Sequence, residues 1–123
     1  MTNKEIGATL VKLCREGKNL ESVRTLYAES IESIEPAAAP GMERATRGKA
    51  AVIAKNQWWL DNHDIHRTDV DGPYPHGVDK FAVRFRYDVS QKQSGQRFQM
   101  EEIGVFTIAD GKVDREEFFY DMG

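Results

Sequence analysis

Apolar residues in the first part of the chain return at steps of three and four. Ile6, Leu10, Leu13 and Cys14 share one stripe between Thr2 and about Glu16, the spacing of an amphipathic helix with one buried face. Gly17 ends that helix, and Asn19 is placed to cap a second one running to about Tyr27, with Leu20, Val23, Leu26 and Tyr27 as its buried stripe. Ser30 to Glu35 reads as a short strand stopped by Pro36, which has no amide hydrogen to give a ladder. Ala37 to Gly48 has no period, and Pro40, Gly41 and Gly48 mark a loop in the position of a lid. Helical spacing resumes from Lys49 to about Asn62. Ala51, Val52, Ile53, Trp58, Trp59 and Leu60 form its apolar part, with Lys55, Asn56 and Gln57 expected on the polar side.

The period then changes to two. Asp64 to Asp71 alternates as a strand, and Gly72 to Gly77, with Pro73 and Pro75, reads as a loop. Phe81, Val83, Phe85, Tyr87 and Val89 share one strand face against Arg84, Arg86 and Asp88. After a turn at Ser94-Gly95, Phe98, Met100, Glu102, Gly104, Phe106 and Ile108 share a face opposite Arg97, Gln99, Glu101, Ile103, Val105 and Thr107. Asp110-Gly111 signals a hairpin, and Lys112 to Asp121 closes the sheet. This order predicts one α+β domain over residues 1–123, with three helices of the N-terminal half against one face of a curved, mostly antiparallel sheet. Long strands twist and bend, so the sheet becomes a cone whose open end is a pocket.

Composition narrows the function. A net charge of −3 without a run of Lys or Arg argues against nucleic acid as partner. No stretch reaches the ~18 apolar residues of a membrane span. Cys14 is the one cysteine, so no internal disulfide forms, and with no signal peptide at the N-terminus a cytoplasmic location is expected. Its place on the first helix's apolar stripe makes it packing rather than a nucleophile. His63 and His66 straddle a change of element and no Cys pair accompanies them, so no metal is expected, and no Gly-rich phosphate loop calls for a nucleotide cofactor.

Three segments carry a resemblance: Tyr27-Ala28-Glu29-Ser30-Ile31-Glu32-Ser33-Ile34-Glu35-Pro36, Arg47-Gly48-Lys49-Ala50-Ala51-Val52, and Asp110-Gly111-Lys112-Val113 leading to Glu117-Phe118-Phe119-Tyr120-Asp121. Over nearly the whole chain they resemble the nuclear transport factor 2-like superfamily, in its SnoaL-like polyketide cyclase and ketosteroid isomerase branch. The resemblance implies the cone-shaped, cystatin-like roll and a dimer. It also implies a role for Glu35, which matches the general base that precedes the strand-ending proline in the isomerase relatives. The tyrosine and protonated aspartate that hold the enolate in those relatives fall here near Leu10 and Gly104, so neither donor is kept in kind. Glu102, two residues before Gly104 on the same face, offers a substitute carboxyl.

Strand parity and the resemblance together turn Ser33 and Glu35, His66 and Thr68, Phe81, Val83 and Phe85, Met100 and Glu102, and Glu116, Phe118 and Tyr120 toward the pocket. Met42 of the loop joins that wall, as does one of Trp58 and Trp59, which point ~100° apart on a helix. An apolar wall with few polar groups suits a small molecule. A carboxylate in it loses hydration and becomes a better base near neutral pH. The candidate catalytic groups are therefore Glu35, Glu102, Tyr120 and His66. The expected function is binding of a small apolar ligand, with cofactor-independent isomerase or cyclase chemistry by proton abstraction beside a carbonyl. A noncatalytic binding module of the same fold is the alternative, and a dehydratase or hydrolase using His66 is a third. Ile103, Val105, Val113 and Phe119 would form an outer apolar patch through which a homodimer is expected.

Overall fold

Thr2 and Glu5 close the first turn of helix α1 (Asn3–Arg15) as a reciprocal capping box: Glu5 N donates to Thr2 Oγ1 at 3.1 Å and Thr2 N to Glu5 Oε1 at 2.9 Å. In the computed structural model, which describes residues 1–38 and 43–121, this helix buries Ile6, Leu10, Val11 and Cys14. Helix α2 (Asn19–Leu26) begins with Lys18 at its cap position and no side-chain cap bond, so Asn19 is the first helical residue rather than the cap. Tyr27 does not extend α2. It opens strand β1 (Tyr27–Ile34), where its ring is buried.

The expected loop before the third helix contains a short strand, β2 (Ala45–Arg47), which pairs antiparallel with β1 through Ser33 and Thr46. Helix α3 (Lys49–Asn62) follows, then β3 (His63–His76), β4 (Lys80–Gln91), β5 (Arg97–Ala109) and β6 (Lys112–Phe119). The strands form one six-stranded sheet in the order β2-β1-β6-β5-β4-β3, antiparallel except where β1 and β6 run parallel. The fold is thus the α+β curled sheet expected.

The proline-rich segment expected as a loop is instead the end of β3, where Tyr74, Pro75 and His76 pair with Ala82, Phe81 and Lys80. A register shift between Asp71 and Tyr74 admits Pro73, and β3 is an edge strand, where missing donors are tolerated. Two further shifts matter for the site. One lies between Ile65 and Arg67 in β3, the other at Thr107/Ile108 where β5 meets β6. The second returns Val113 to the inner face beside Ile108, so Val113 is core and not part of an outer patch. Phe119 stays outside, 51% exposed, next to Ile103.

The core fills the space between α1, α2 and the sheet, with Phe81, Val83, Phe85 and Phe106 from the sheet meeting Ile6 and Leu10 from α1. Gly104 makes room for it. A Cβ there would lie 2.8 Å from the Phe106 ring and 3.1 Å from that of Phe118, so a larger side chain at 104 would have to displace these rings.

Candidate active site

One cross-strand row on the inner face runs Phe81, Phe106, Glu116 and Ser33, from β4 through β5 and β6 to β1. A carboxyl in such a row needs partners. Glu116, 3% exposed, has two: the Tyr27 hydroxyl donates to Oε2 in a short hydrogen bond, and Ser33 Oγ donates to Oε1 at 3.0 Å. Loss of hydration nevertheless holds the Glu116 pKa above the usual carboxylate range, with Tyr27, Lys55 and Ser33 opposing the rise and Glu35 adding to it. The Tyr27 hydroxyl is pushed well up by burial and by the Glu116 charge.

Lys55 extends the cluster toward solvent. Its Nζ donates to Ser33 Oγ at 2.9 Å and to Glu35 Oε1 at 3.1 Å. The other oxygen of Glu35 accepts from the Tyr120 hydroxyl at 2.9 Å, while Glu35 N donates to the Arg44 carbonyl at 2.9 Å. Glu35 and Lys55 are equally half-buried, so the base candidate is a carboxylate pinned by an ammonium rather than a lone group in an apolar wall. Tyr120 follows β6 on the same side as Phe118. Loss of hydration and its bond to Glu35 raise its hydroxyl pKa.

Glu102 faces the interior beside Phe85, its cross-strand neighbour. Among the described residues its carboxyl has no hydrogen-bond partner. Loss of hydration, then the charges of Glu35 and Glu116, push its pKa up to about 8, against a smaller downward pull from Lys55. The shift favours the protonated acid over the carboxylate near neutral pH. Glu102 lines a cavity of about 70 Å³ together with Tyr27, Asn56, Phe85, Tyr87, Glu116 and Phe118, room for about two waters at ~30 Å³ each.

The other expected site residues divide. Ser33, Phe85, Glu102 and Phe118 gather at the cavity or the cluster, and Glu35 and Tyr120 meet beside them. Phe81 and Val83 are sealed in the core and do not line the cavity. Met100 borders a second, larger depression of about 410 Å³ with Tyr87, Arg86, Asp88 and Glu101 rather than the cavity that Glu102 lines. Met42 lies outside the described residues. Trp58 is 63% exposed, and it is Trp59 that turns inward, stacking on His63 at 4.1 Å. His66 points outward, with Nε2 at 2.7 Å from Ser90 Oγ, because the register shift after Ile65 takes it off the inner parity.

Three members of the cluster were not among the expected catalytic or ligand-binding residues. The spacing places Tyr27 at the end of a helix, Glu116 among several inward residues and Lys55 on the polar side of α3. A signal for Lys55 was present: Val52, Lys55, Asn56 and Trp59 follow i, i+3, i+4, i+7, and this half-polar stripe is the one that faces the sheet.

Residues 1–120 match the family model for the SnoaL-like domain. The chain belongs to the SnoaL-like family. A solved structure from Mesorhizobium loti, provisionally named a SnoaL-like polyketide cyclase, is 38% identical and superposes with a TM-score of 0.90 over 98% of this chain and 100% of that one. The SnoaL-like fold is shared more distantly with a provisionally named isomerase from Bacillus subtilis (17% identity, TM-score 0.81, 98% and 90% of the two chains). It is shared as well with a nuclear transport factor 2-like protein from Burkholderia thailandensis (19%, 0.79, 98% and 92%). No curated protein matches this SnoaL-like sequence. No helix among its described residues is long and apolar enough to cross a membrane.

Proposed function

We propose that this SnoaL-like protein takes a small, largely apolar carbonyl compound into the open end of the cone and moves a proton next to the carbonyl without a cofactor, as an isomerase or cyclase. The supporting observation is the Glu35 carboxylate, fixed by Lys55 and Tyr120 close enough to Glu102 for its charge to raise that acid's proton affinity. In this reading Glu35 accepts the proton from the carbon beside the carbonyl. The electron pair moves onto the carbonyl oxygen, and the uncommitted acid of Glu102 donates a hydrogen bond to it. Return of the proton to another carbon completes an isomerisation; attack of the enolate carbon on a second carbonyl closes a ring, and the proton held by Glu35 passes to the alkoxide so formed.

The test is exchange of α-protons in D₂O, followed by proton NMR for a panel of small ketones and enones, with wild type set against Glu35→Gln. Exchange above the buffer rate that is lost in the variant is expected. Equal rates in both proteins would sink the base role. A noncatalytic binding module is the second reading, favoured by the Lys55 ion pair that occupies one oxygen of the base candidate Glu35; tight binding of a panel compound without exchange would select it. The dehydratase or hydrolase reading loses its histidine, since His66 faces outward. We further propose a homodimer across Ile103, Val105 and Phe119, and a cytoplasmic location consistent with the single buried thiol of Cys14.

A further inference from the structure

Lys55 stands where three acids converge: Glu35 after β1, Glu102 on β5 and Glu116 on β6. The other titratable groups around them are the hydroxyls of Tyr27, Tyr87 and Tyr120 and the thiol of Cys14. An ammonium has three donors and no acceptor. With Lys55 Nζ donating to Ser33 Oγ at 2.9 Å, the Ser33 hydroxyl hydrogen is directed to Glu116 Oε1 at 3.0 Å. Donor direction is therefore fixed from Lys55 to the sealed carboxyl, and Tyr27 closes the far end.

We propose that Lys55 is the positioning residue of this site: it holds the Glu35 carboxylate beside Tyr120 and, through the Ser33 hydroxyl, serves as the counter-charge of the buried Glu116. One ammonium then balances several acids. The Glu35 charge raises the proton affinity of Glu102 and Glu116 while the Lys55 charge lowers it, so the ammonium ties the charge states of these acids together. The consequence for turnover rests on the proposed base role of Glu35; the electrostatic coupling needs no substrate.

The experiment is a carbon-detected NMR titration of the glutamate carboxyls in substrate-free protein, for wild type, Lys55→Met and Lys55→Arg. Lys55→Met is expected to raise the midpoints of Glu102 and Glu116 by about one unit or more, a tenfold gain in proton affinity. Lys55→Arg, which keeps the charge, should show less than about half that shift. Folded Lys55→Met with both midpoints at their wild-type values overturns the proposal. Should that variant not fold, nitrogen-15 spectra of wild type decide: Lys55 ammonium protons exchanging more slowly than those of surface lysines support the held geometry, and exchange at surface rates overturns it. A normal titration shift alongside a negative Glu35→Gln exchange assay removes only the turnover reading, and the reverse pattern removes only the coupling.

Discussion

The Tyr120 hydroxyl lies 2.9 Å from Glu35 Oε2 although 85 residues separate them in the chain. A phenol donating to a carboxylate holds that oxygen in one orientation, and a charge-assisted bond of this type is stronger than a neutral one. Tyr120→Phe is expected to lower α-proton exchange by about tenfold or more while changing the melting temperature little, because the pair is half-exposed. Matched exchange rates and thermal melts of the variant and wild type check both halves.

Tyr27→Phe tests the buried end of the cluster. It strips one of two hydroxyl donors from a carboxyl that is 3% exposed. The expected loss is about 1–3 kcal/mol of stability by urea unfolding, with the variant's deficit growing as pH rises and Glu116 must ionise.

Gly104→Ala is expected to cost about 1–3 kcal/mol through overpacking, because the new methyl would meet the Phe106 ring at 2.8 Å. In a Phe106→Leu background the added cost should shrink. A full cost there would mean that the Phe118 ring, 3.1 Å from the added methyl, rather than that of Phe106 excludes side chains at 104.

Glu102 makes a pH prediction. Its folded-state pKa of about 8 stands above the ordinary value of 4.5, so between those values the folded protein keeps a proton that the unfolded chain has released. Stability should fall as pH rises through this window, at ~1.4 kcal/mol per unit for one such group, and level off above it. Glu116 is shifted in the same direction and adds to the slope. Glu102→Gln should flatten the dependence and gain on wild type between pH 5 and 8, read by urea midpoints across that range.

How much of this was legible in the sequence depends on whether parity held. In β4 and β5 alternation runs unbroken, so Phe81, Val83, Phe85 and Glu102 fall on the inner face as read, and the Asp110-Gly111 hairpin lies where its residues signal it. His66 and Val113 were misassigned for one shared reason: a register shift moves every later side chain across the sheet, and nothing in composition marks the residue that bulges. Lys55 was missed because a polar stripe on a helix ordinarily means solvent, and here it meets buried acids from distant strands. The parallel pairing of β1 with β6 supplies those meetings, and local spacing cannot reveal it.

That pairing also bears on the order of events expected during folding. Glu116 and Tyr120 reach Tyr27, Ser33 and Glu35 only once the final strand has docked beside the first, which requires closing loops of 83 to 89 residues. The helices and the β3-β4-β5 meander rely on nearer neighbours and can form beforehand. The Tyr27–Glu116 and Glu35–Tyr120 contacts are accordingly expected to be among the last that folding makes, and slow docking of β6 beside β1 would leave a nearly complete scaffold without the cluster.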